Sequence, residues 1–264
     1  MTKDSHIIIL LHSSKTMRSS LGLNLSPRPP FYIQDAVKLN GCLKKLTTNQ
    51  FVKTMKISGT LAEKTKKQVD DWSDKGSIFA INSFIGDIYS GLQSSGFSVE
   101  DLSYADKVLW ILSGLYGVIR PLDTISPYRL ELAYKLPSQR YSNLYSFWGK
   151  KVATQLPETI PIVNLSSLEY SQLITPHIDA SRIVTPKFLT IHAKTKKPTF
   201  VAVHAKIARG AFARWLIKSK NTDPQSFKKF KELGYSYDAQ LSTSDSPVFV
   251  CTNFGGVGLS VRLA

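Results

Sequence analysis

Hydrophobic and polar positions along the chain follow strand-like patterns in some segments and helix-like patterns in others. Residues 7–11 form an uninterrupted aliphatic run, which predicts a fully buried strand. The loop that follows, residues 12–16, is polar, and a polar loop at the C-terminal end of a buried strand is a common place for a ligand site. Shorter apolar runs predict further strands at residues 78–84, 108–112, 160–165, 182–191, 200–204, 235–237 and 248–251. We expect residues 182–191 and 200–204 to pair as neighbouring strands.

Other segments have the periodicity of helices. Apolar positions recur at helical spacing over residues 33–72 and predict two or three short helices, and residues 145–156 predict another. Ser98 followed by Asp101 is typical of a helix N-terminus, with a capping hydroxyl and an acid in the first turn. Residues 206–218 predict an amphipathic helix whose polar arc is basic. Helices mixed with buried strands indicate an α/β or α+β fold, a mixed sheet surrounded by helices.

Length, hydrophobicity and cysteine content argue against a membrane-spanning or disulfide-stabilised protein. At 264 residues the chain is long enough for one large domain or two small ones. The longest strictly aliphatic run has five residues, against the roughly 20 needed to cross a bilayer. Two distant cysteines, Cys42 and Cys251, do not form a disulfide framework. We therefore expect a reduced, cytoplasmic protein with no membrane partner, folded over residues 1–254 and followed by a flexible tail, residues 255–264. The sequence leaves the oligomeric state open, and we favour a monomer.

The positive charge of the chain is concentrated in one window. Residues 182–231 hold thirteen Lys and Arg and one acid, Asp223, which accounts for +12 of the net +15. The remainder of the chain is close to balance, with twenty-one basic and eighteen acidic residues. A local basic excess is typical of a surface that meets a polyanion. A solvated Lys-rich face is the alternative that charge alone leaves open.

Six sequence blocks, in order along the chain, are specific enough to indicate a family. They are GDIYSGL at residues 86–92, LSGLYGVIRPLD at 112–123, YRLE at 128–131, LYSFWG at 144–149, NLSSLEY at 164–170 and AKIARG at 205–210. In these blocks the chain resembles the YaaA family, also called UPF0246 or DUF328, and the resemblance runs from residue 7 to about residue 251.

Four departures from the family pattern put individual roles in doubt. The family's first block reads SPAKT, whereas this chain has His12-Ser13-Ser14-Lys15-Thr16. Isoleucines stand at two positions where the family usually has lysine, Ile85 and Ile207, and Cys251 replaces a basic residue. The basic window is also a feature of this chain, because family members are often near neutral.

The resemblance implies a fold and a biological setting. Family members are associated with peroxide stress and with limiting free iron during oxidative challenge. The family fold implies a single compact α/β domain with a positively charged cleft and a helix-hairpin-helix-like element, for which binding of double-stranded DNA has been proposed. The expected partner is therefore double-stranded DNA or another polyanion, bound without reading its sequence.

Candidate DNA contacts follow from the chemistry of phosphate recognition. Glycines let a turn backbone approach a phosphate closely, and Arg and Lys supply the matching charge. The candidates are Gly114, Gly117, Arg120, Arg129, Lys206, Arg209 and Arg214, with Tyr116 placed to stack on a base. The alternative is structural: a tight turn after a strand, with Arg120 and Arg129 paired to Asp123 and Glu131.

A second hypothesis is an enzyme acting on a small anionic substrate, such as a nucleotide or nucleoside. The candidate acid, base and anion-binding groups inside the family blocks are Lys15, Asp87, Glu131 and Glu169, with Thr16 and Tyr170 beside them. Their spacing does not show that they converge, and each acid could instead be a helix cap or an ion-pair partner. An enclosed pocket lined by these residues favours the enzyme, and an open groove favours DNA.

Metals and standard cofactors have no support in the sequence. The five histidines show no HxxH or HxxxH spacing and no cysteine lies close to them, so we expect no metal site. No GxxxxGK[ST] or GxGxxG motif occurs, so we expect no nucleotide cofactor held by such a loop.

Overall fold

The computed structural model describes residues 7–18, 26–137 and 143–259. Its strands are β1 Ile8–His12, β2 Thr16–Met17, β3 Ile78–Phe79, β4 Phe84–Ile85, β5 Leu109–Ser113, β6 Gly117–Ile119, β7 Thr124–Ile125, β8 Ile162–Asn164, β9 Ile183–Val184, β10 Lys187–Ile191, β11 Pro198–Thr199, β12 Tyr235–Asp238 and β13 Val248–Cys251. Its α-helices are α1 Ile33–Lys44, α2 Thr48–Met55, α3 Gly59–Asp70, α4 Ala80–Ser83, α5 Asp87–Leu92, α6 Val99–Val108, α7 Leu144–Trp148, α8 Leu168–Ser171 and α9 Ala202–Ser219.

A five-stranded sheet in the order β6-β5-β1-β8-β9 forms the centre of the fold. Strand β1 runs parallel to both β5 and β8, with Leu10 opposite Trp110 on one side and Asn164 on the other. The aliphatic run of β1 is buried on both faces, as a central parallel strand requires. Because β1, β5 and β8 are parallel, their C-terminal ends lie at one edge of the sheet, where the polar loop after β1 begins.

A second sheet, in the order β11-β10-β13-β12, packs against α9. Aromatic side chains fill the space between this sheet and the helix. Phe188 of β10 stacks on Phe249 of β13 with ring centroids 5.4 Å apart, and Phe212 of α9 meets Phe230 at 5.0 Å. Both sheets contribute to one continuous hydrophobic core, so the chain is a single mixed α/β domain.

Two glycines let α5 and α9 cross in close contact. A Cβ atom at Gly210 would lie 2.7 Å from the Leu92 nitrogen, and one at Gly91 would lie 2.9 Å from the Ala211 nitrogen. Real Cβ atoms essentially never approach so closely. The crossing therefore needs glycine at both positions, and it holds the start of α5 beside the first half of α9.

Most predicted elements are confirmed. The run 7–11 is the central strand β1, residues 33–72 form the three helices α1 to α3, and the runs at 108–112, 160–165, 235–237 and 248–251 are strands. The Ser98 cap is also confirmed, since its hydroxyl accepts a hydrogen bond from the Asp101 nitrogen at 3.1 Å. The basic amphipathic helix begins earlier than predicted, at Ala202, and ends at Ser219.

Four predicted elements are wrong in extent or type. Residues 182–191 form two strands, because β9 pairs with β8 in the central sheet whereas β10 pairs with β11 and β13 in the second sheet. Residues 78–84 do not form one strand, because β3 and β4 pair with different strands and the short helix α4 joins them. The helix predicted at 145–156 stops at Trp148, where Gly149 takes φ +49°, and only a 3-10 turn follows at Ala153–Gln155. The strand predicted at 200–204 is the start of α9, and the partner of β10 is Pro198–Thr199.

The end of the chain is described only in part. Residues Val257–Leu259 form a 3-10 turn, and the Gly255 nitrogen donates to the Leu233 carbonyl at 3.1 Å. The rest of the predicted flexible tail, residues 260–264, lies outside the described residues. In the described part of the chain, no helix has the length and apolar character that a membrane span requires.

Candidate functional site

A cleft of about 470 Å³ lies at the C-terminal edge of the central sheet. Segments far apart in the sequence form its walls: the loop after β1, the start of α5, the segment after β7, the loop after β8 and the first half of α9. The residues that line it are His12, Ser13, Ser14, Lys15, Thr16, Ile85, Gly86, Asp87, Ile88, Tyr89, Glu131, Ser167, Glu169, Tyr170 and Lys206. All four acid–base candidates predicted for an enzyme, Lys15, Asp87, Glu131 and Glu169, therefore converge there.

Glu131 is one of two buried carboxyl groups in the cleft, the other being Asp87. Tyr170 donates its hydroxyl to Glu131 Oε1 at 3.1 Å, and the Ser13 hydroxyl lies 3.3 Å from the same tyrosine oxygen. The Lys15 ammonium lies 3.9 Å from Glu131 Oε2 and is about half exposed. Burial raises the pKa of Glu131 against the opposing charge of Lys15. A carboxyl group tuned in this way is suited to proton transfer.

Glu169 lines the cleft beside Glu131, and Arg129 bonds the loop after β1. Glu169 Oε1 accepts a hydrogen bond from the Ala133 nitrogen at 3.0 Å, and its backbone carbonyl accepts one from the Tyr145 hydroxyl at 2.8 Å. Arg129 donates through Nη1 to the Lys15 carbonyl at 3.2 Å, which fixes the loop after β1. Within the described part of the chain its Nε is buried without a partner.

Asp87 and Lys206 belong to the two helices that cross at the glycines. Asp87 is the first residue of α5 and is 5% exposed, and Lys206 lies in the first half of α9. Both side chains line the cleft. The close helix crossing thus brings a carboxylate and an ammonium from segments about 120 residues apart to one side of the site.

His12 is held in the cleft as a neutral ring. Its Nδ1 accepts a hydrogen bond from the Ser167 nitrogen at 3.1 Å, and its ring stacks on Tyr170 with centroids 4.9 Å apart. Burial, together with the charges of Arg209 and Lys206, lowers the pKa of His12 to about 3. Because Nδ1 is the acceptor, the single ring proton of the neutral form is on Nε2.

The turn predicted to bind phosphate is buried in the structure and does not lie at the surface. Gly114 lies in the turn between the antiparallel strands β5 and β6, and Gly117 is the first residue of β6, so neither lies between helices, and both are buried. A Cβ atom at Gly117 would lie 2.9 Å from the Trp148 ring. Tyr116 is 0% exposed and accepts a hydrogen bond from Trp72 Nε1 at 2.9 Å, so it cannot stack on a base.

Two predicted phosphate-binding arginines have carboxylate partners. Arg120 lies 3.3 Å from Asp123 and over the Phe31 ring, which confirms the structural alternative for this residue. Arg214 lies 2.6 Å from Glu232 and donates to Gln93. The other expected structural pair, Arg129 with Glu131, is replaced by the contact between Lys15 and Glu131.

The lysines of the basic window are exposed but spread out. Nine of them are exposed: Lys187, Lys194, Lys196, Lys197, Lys218, Lys220, Lys228, Lys229 and Lys231. Lys194 to Lys197 precede the edge strand β11, whereas Lys228 to Lys231 precede β12 at the opposite edge. With strands about 4.8 Å apart, these edges are roughly 14 Å from one another. Of the window's basic residues, Lys206 alone lines the cleft, and Arg209 acts on it electrostatically.

The departures from the family pattern have structural explanations. Ile207 of α9 and Cys251 of β13 are both fully buried, so neither position could hold a lysine without rearrangement. Ile85 lines the cleft, and its carbonyl accepts the Ser14 hydroxyl. His12 and Ser13, which the family-based candidates left out, belong to the site. Their position in the polar loop after β1 was the available signal.

A metal site has no candidate ligands in the part of the chain that the structure describes. No three His, Cys, Asp or Glu side chains there are arranged to hold an ion.

Comparisons with known proteins agree with the sequence blocks. The family described as "Peroxide stress protein YaaA" matches residues 7–241. A UPF0246 protein of Salinispora tropica is 47% identical over 97% of this chain and 98% of its own length. UPF0246 proteins of Ralstonia pickettii and Burkholderia lata are 38% and 33% identical, each over 92% of this chain and 98% of the relative. The chain therefore belongs to the YaaA family of peroxide stress proteins, the UPF0246 proteins.

Proposed function

We propose that the cleft binds a small anionic metabolite of about mononucleotide size and carries out acid–base chemistry on it. One observation carries this proposal: Lys15, Glu131, Tyr170 and Lys206, from separate blocks of the sequence, converge in one cleft. Its volume of about 470 Å³ is in the usual range for small-molecule sites. Its position at the carboxyl ends of parallel strands is also where α/β proteins bind their ligands.

Some side chains of the cleft would bind the ligand, and others would transfer a proton. Lys15 and Lys206 supply positive charge for an anionic ligand, since both line the cleft. Glu131 accepts a proton from the ligand, and the Tyr170 hydroxyl, donated to Glu131, holds the carboxyl group in place. Burial raises the pKa of Glu131 toward the working pH, which strengthens it as a base.

Calorimetric titration and product analysis test this function. Inorganic phosphate and the four ribonucleoside monophosphates are titrated into the protein, and each mixture is then analysed by mass spectrometry for altered nucleotide. We expect at least one mononucleotide to bind, and Glu131→Gln to keep binding while losing turnover. Glu158→Gln, an exposed carboxylate outside the cleft, is the matched control and should leave both unchanged. Absence of binding by every probe would reject the proposal.

The family suggests the setting of this activity. We infer that the reaction serves the peroxide response from which the family takes its name. A strain lacking the gene should be sensitive to hydrogen peroxide, and the wild-type gene should restore its growth whereas the Glu131→Gln gene should not. Equal rescue by both genes would separate the peroxide phenotype from the chemistry of the cleft.

Non-specific association with duplex DNA is a second candidate, favoured by the exposed lysines of the basic window. Contacts to phosphates by these lysines would make affinity fall steeply between about 50 and 200 mM salt. Replacing Lys194, Lys196 and Lys197 with Gln should then weaken binding of a duplex and reduce its salt dependence. Binding that is absent at low salt, or that does not change with salt, would remove this candidate.

A further inference from the structure

Arg209 is a cation whose surroundings do not neutralise it. It lies one turn beyond Lys206 on the same face of α9, three residues along the helix. The side chain is partly buried, and burial lowers the pKa of Arg209. No salt bridge or hydrogen bond joins its guanidinium to another of the described residues. Arg214, on the same helix, does have a carboxylate partner in Glu232.

His12 adds a hydrogen-bond donor beside these two cations. Arg209 and Lys206 lie close enough to His12 to lower its pKa by their charge. The Ser167 nitrogen occupies Nδ1, and the stack on Tyr170 fixes the plane of the ring. The described residues offer Nε2 no acceptor, and His12 lines the cleft. The N–H group at Nε2 is therefore available to a ligand.

We propose that Lys206, Arg209 and His12 Nε2 together bind the phosphoryl group of a phosphate monoester. This inference rests on the proposed function of the cleft and assigns the ligand's charged end to one side of it. A phosphate monoester carries nearly two negative charges at neutral pH, which matches two cations. Lys206 and the neutral N–H donor of His12 line the cleft and can bond phosphate oxygens directly, and Arg209 adds its charge from one helical turn away.

The other charged side chains of the cleft indicate where the part of the ligand beyond its phosphoryl group would lie. Glu131 and Glu169 lie in the segments after β7 and β8, with Lys15 beside Glu131. Asp87, the first residue of α5, also lines the cleft, and α5 packs against α9. A phosphoryl group held by α9 and His12 leaves the less charged part of the ligand facing Glu131.

Calorimetric titration of adenosine monophosphate, adenosine and inorganic phosphate tests the assignment. We expect the monophosphate to bind at least tenfold more tightly than adenosine, and Arg209→Met to weaken its binding at least tenfold. His12→Phe keeps an aromatic ring on Tyr170 and removes the donor, so it should weaken binding about fivefold. Lys218→Met, an exposed position on the same helix, is the matched control and should bind as the wild type does.

A second readout uses only the wild-type protein and does not depend on the variants folding. Ring nitrogen NMR of His12 should show a neutral ring protonated at Nε2, with shifts that do not titrate between about pH 5 and 8. Addition of phosphate should move the Nε2 signal. A ring protonated at Nδ1, or a titration near the ordinary histidine pKa, would overturn the role of His12.

The possible failures are distinguishable. If the monophosphate binds but Arg209→Met binds equally well, the phosphoryl site is wrong and the proposed function of the cleft stands. Equal affinity for adenosine and its monophosphate leads to the same conclusion. If the wild-type protein binds no phosphate and no mononucleotide, the proposed function itself fails.

Discussion

The pKa of Glu131 is raised by burial and lowered by the charge of Lys15, and this balance affects both folding stability and the proposed proton transfer. Its side chain is buried and receives a hydrogen bond from Tyr170, while Lys15 offers only a distant and half-exposed positive charge. Burial raises the pKa of Glu131, so the folded protein holds the proton more tightly than the unfolded chain does. Folding stability therefore falls as rising pH ionises this group.

The first prediction concerns removal of that charge. Glu131→Gln should increase the free energy of unfolding at pH 8 by about 1 kcal/mol, because a neutral amide replaces a buried carboxylate. At pH 4, where the native carboxyl group is already protonated, the gain should disappear. Thermal unfolding at the two pH values measures the difference. A variant that is less stable than the wild type at pH 8 would contradict it.

The second prediction concerns His12, whose pKa is lowered to about 3 against an ordinary value of 6.5. Between these values the unfolded chain binds a proton that the folded protein does not, so stability is complete above about pH 6.5 and falls as the pH decreases. From pH 7 to pH 5 this residue should cost about 2 kcal/mol. Urea unfolding of the wild type and His12→Asn measures it. The variant should lose that much less, and equal losses would show that His12 titrates normally.

At the residue scale, sequence blocks identified side chains but not their distances. Lys15, Asp87, Glu131 and Glu169 were chosen because they stand in blocks that keep polar residues beside buried strands, and all four line one cleft. Tyr116 and Gly117 stand in an equally specific block, yet they are buried beneath Trp72 and Trp148. A motif does not show whether its residues are kept for packing or for binding, because that depends on which distant segment covers them.

At the element scale, the crossing of α5 and α9 determines the geometry of the cleft. The helices are held together by backbone contact at Gly91 and Gly210, with no side chain between them. Asp87 and Lys206 each lie four residues before these glycines. Any separation of the two helices therefore moves both side chains at once.

The third prediction tests this crossing. Gly210→Ala should destabilise the protein by about 3 kcal/mol, because the new Cβ overlaps the Ile88 carbonyl and the helices must separate. Ligand binding in the cleft should weaken at temperatures where the variant is still folded. Chemical unfolding combined with calorimetric titration measures both effects.

A matched control comes from a glycine in open space. Gly41 lies inside α1 and nothing lies within 4 Å of a Cβ built on it. Gly41→Ala should therefore stabilise the protein by about 0.5 to 1 kcal/mol. If both substitutions had the same effect, close packing at Gly210 would not be the cause.

Helices and strands whose type is set by their own sequence were predictable. Those whose type depends on contacts with distant segments were not. The aliphatic run of β1 and the capping Ser98 each predict the local structure without reference to the rest of the chain. Residues 78–84 are mostly apolar, but strand pairing on two sides leaves a helical turn between β3 and β4. Residues 200–204 have strand-like composition, yet Ala205 already donates its N–H to the Val201 carbonyl as the first turn of α9.

At the scale of the whole molecule, most of the exposed positive charge of the basic window lies away from the cleft that holds the candidate acid–base residues. The exposed lysines flank the edges of the second sheet, whereas the converging acids, Lys15 and Lys206 lie at the end of the central sheet. The net charge of +15 is thus a poor guide to the site, although it can attract anionic ligands toward the protein at low salt. The position of the basic window relative to the family blocks depends on the order of strands in two sheets, which a single sequence does not show.

Amide chemical-shift mapping during titration with adenosine monophosphate is the most direct test of a small-molecule cleft. We expect the largest shifts at residues 12–16, at Glu131, at residues 167–170 and along the first half of α9, saturating with a single affinity. Lys194 to Lys197 and Lys228 to Lys231 should change little. Shifts confined to those lysines, or spread evenly over the surface without saturation, would contradict a ligand site at the end of the central sheet.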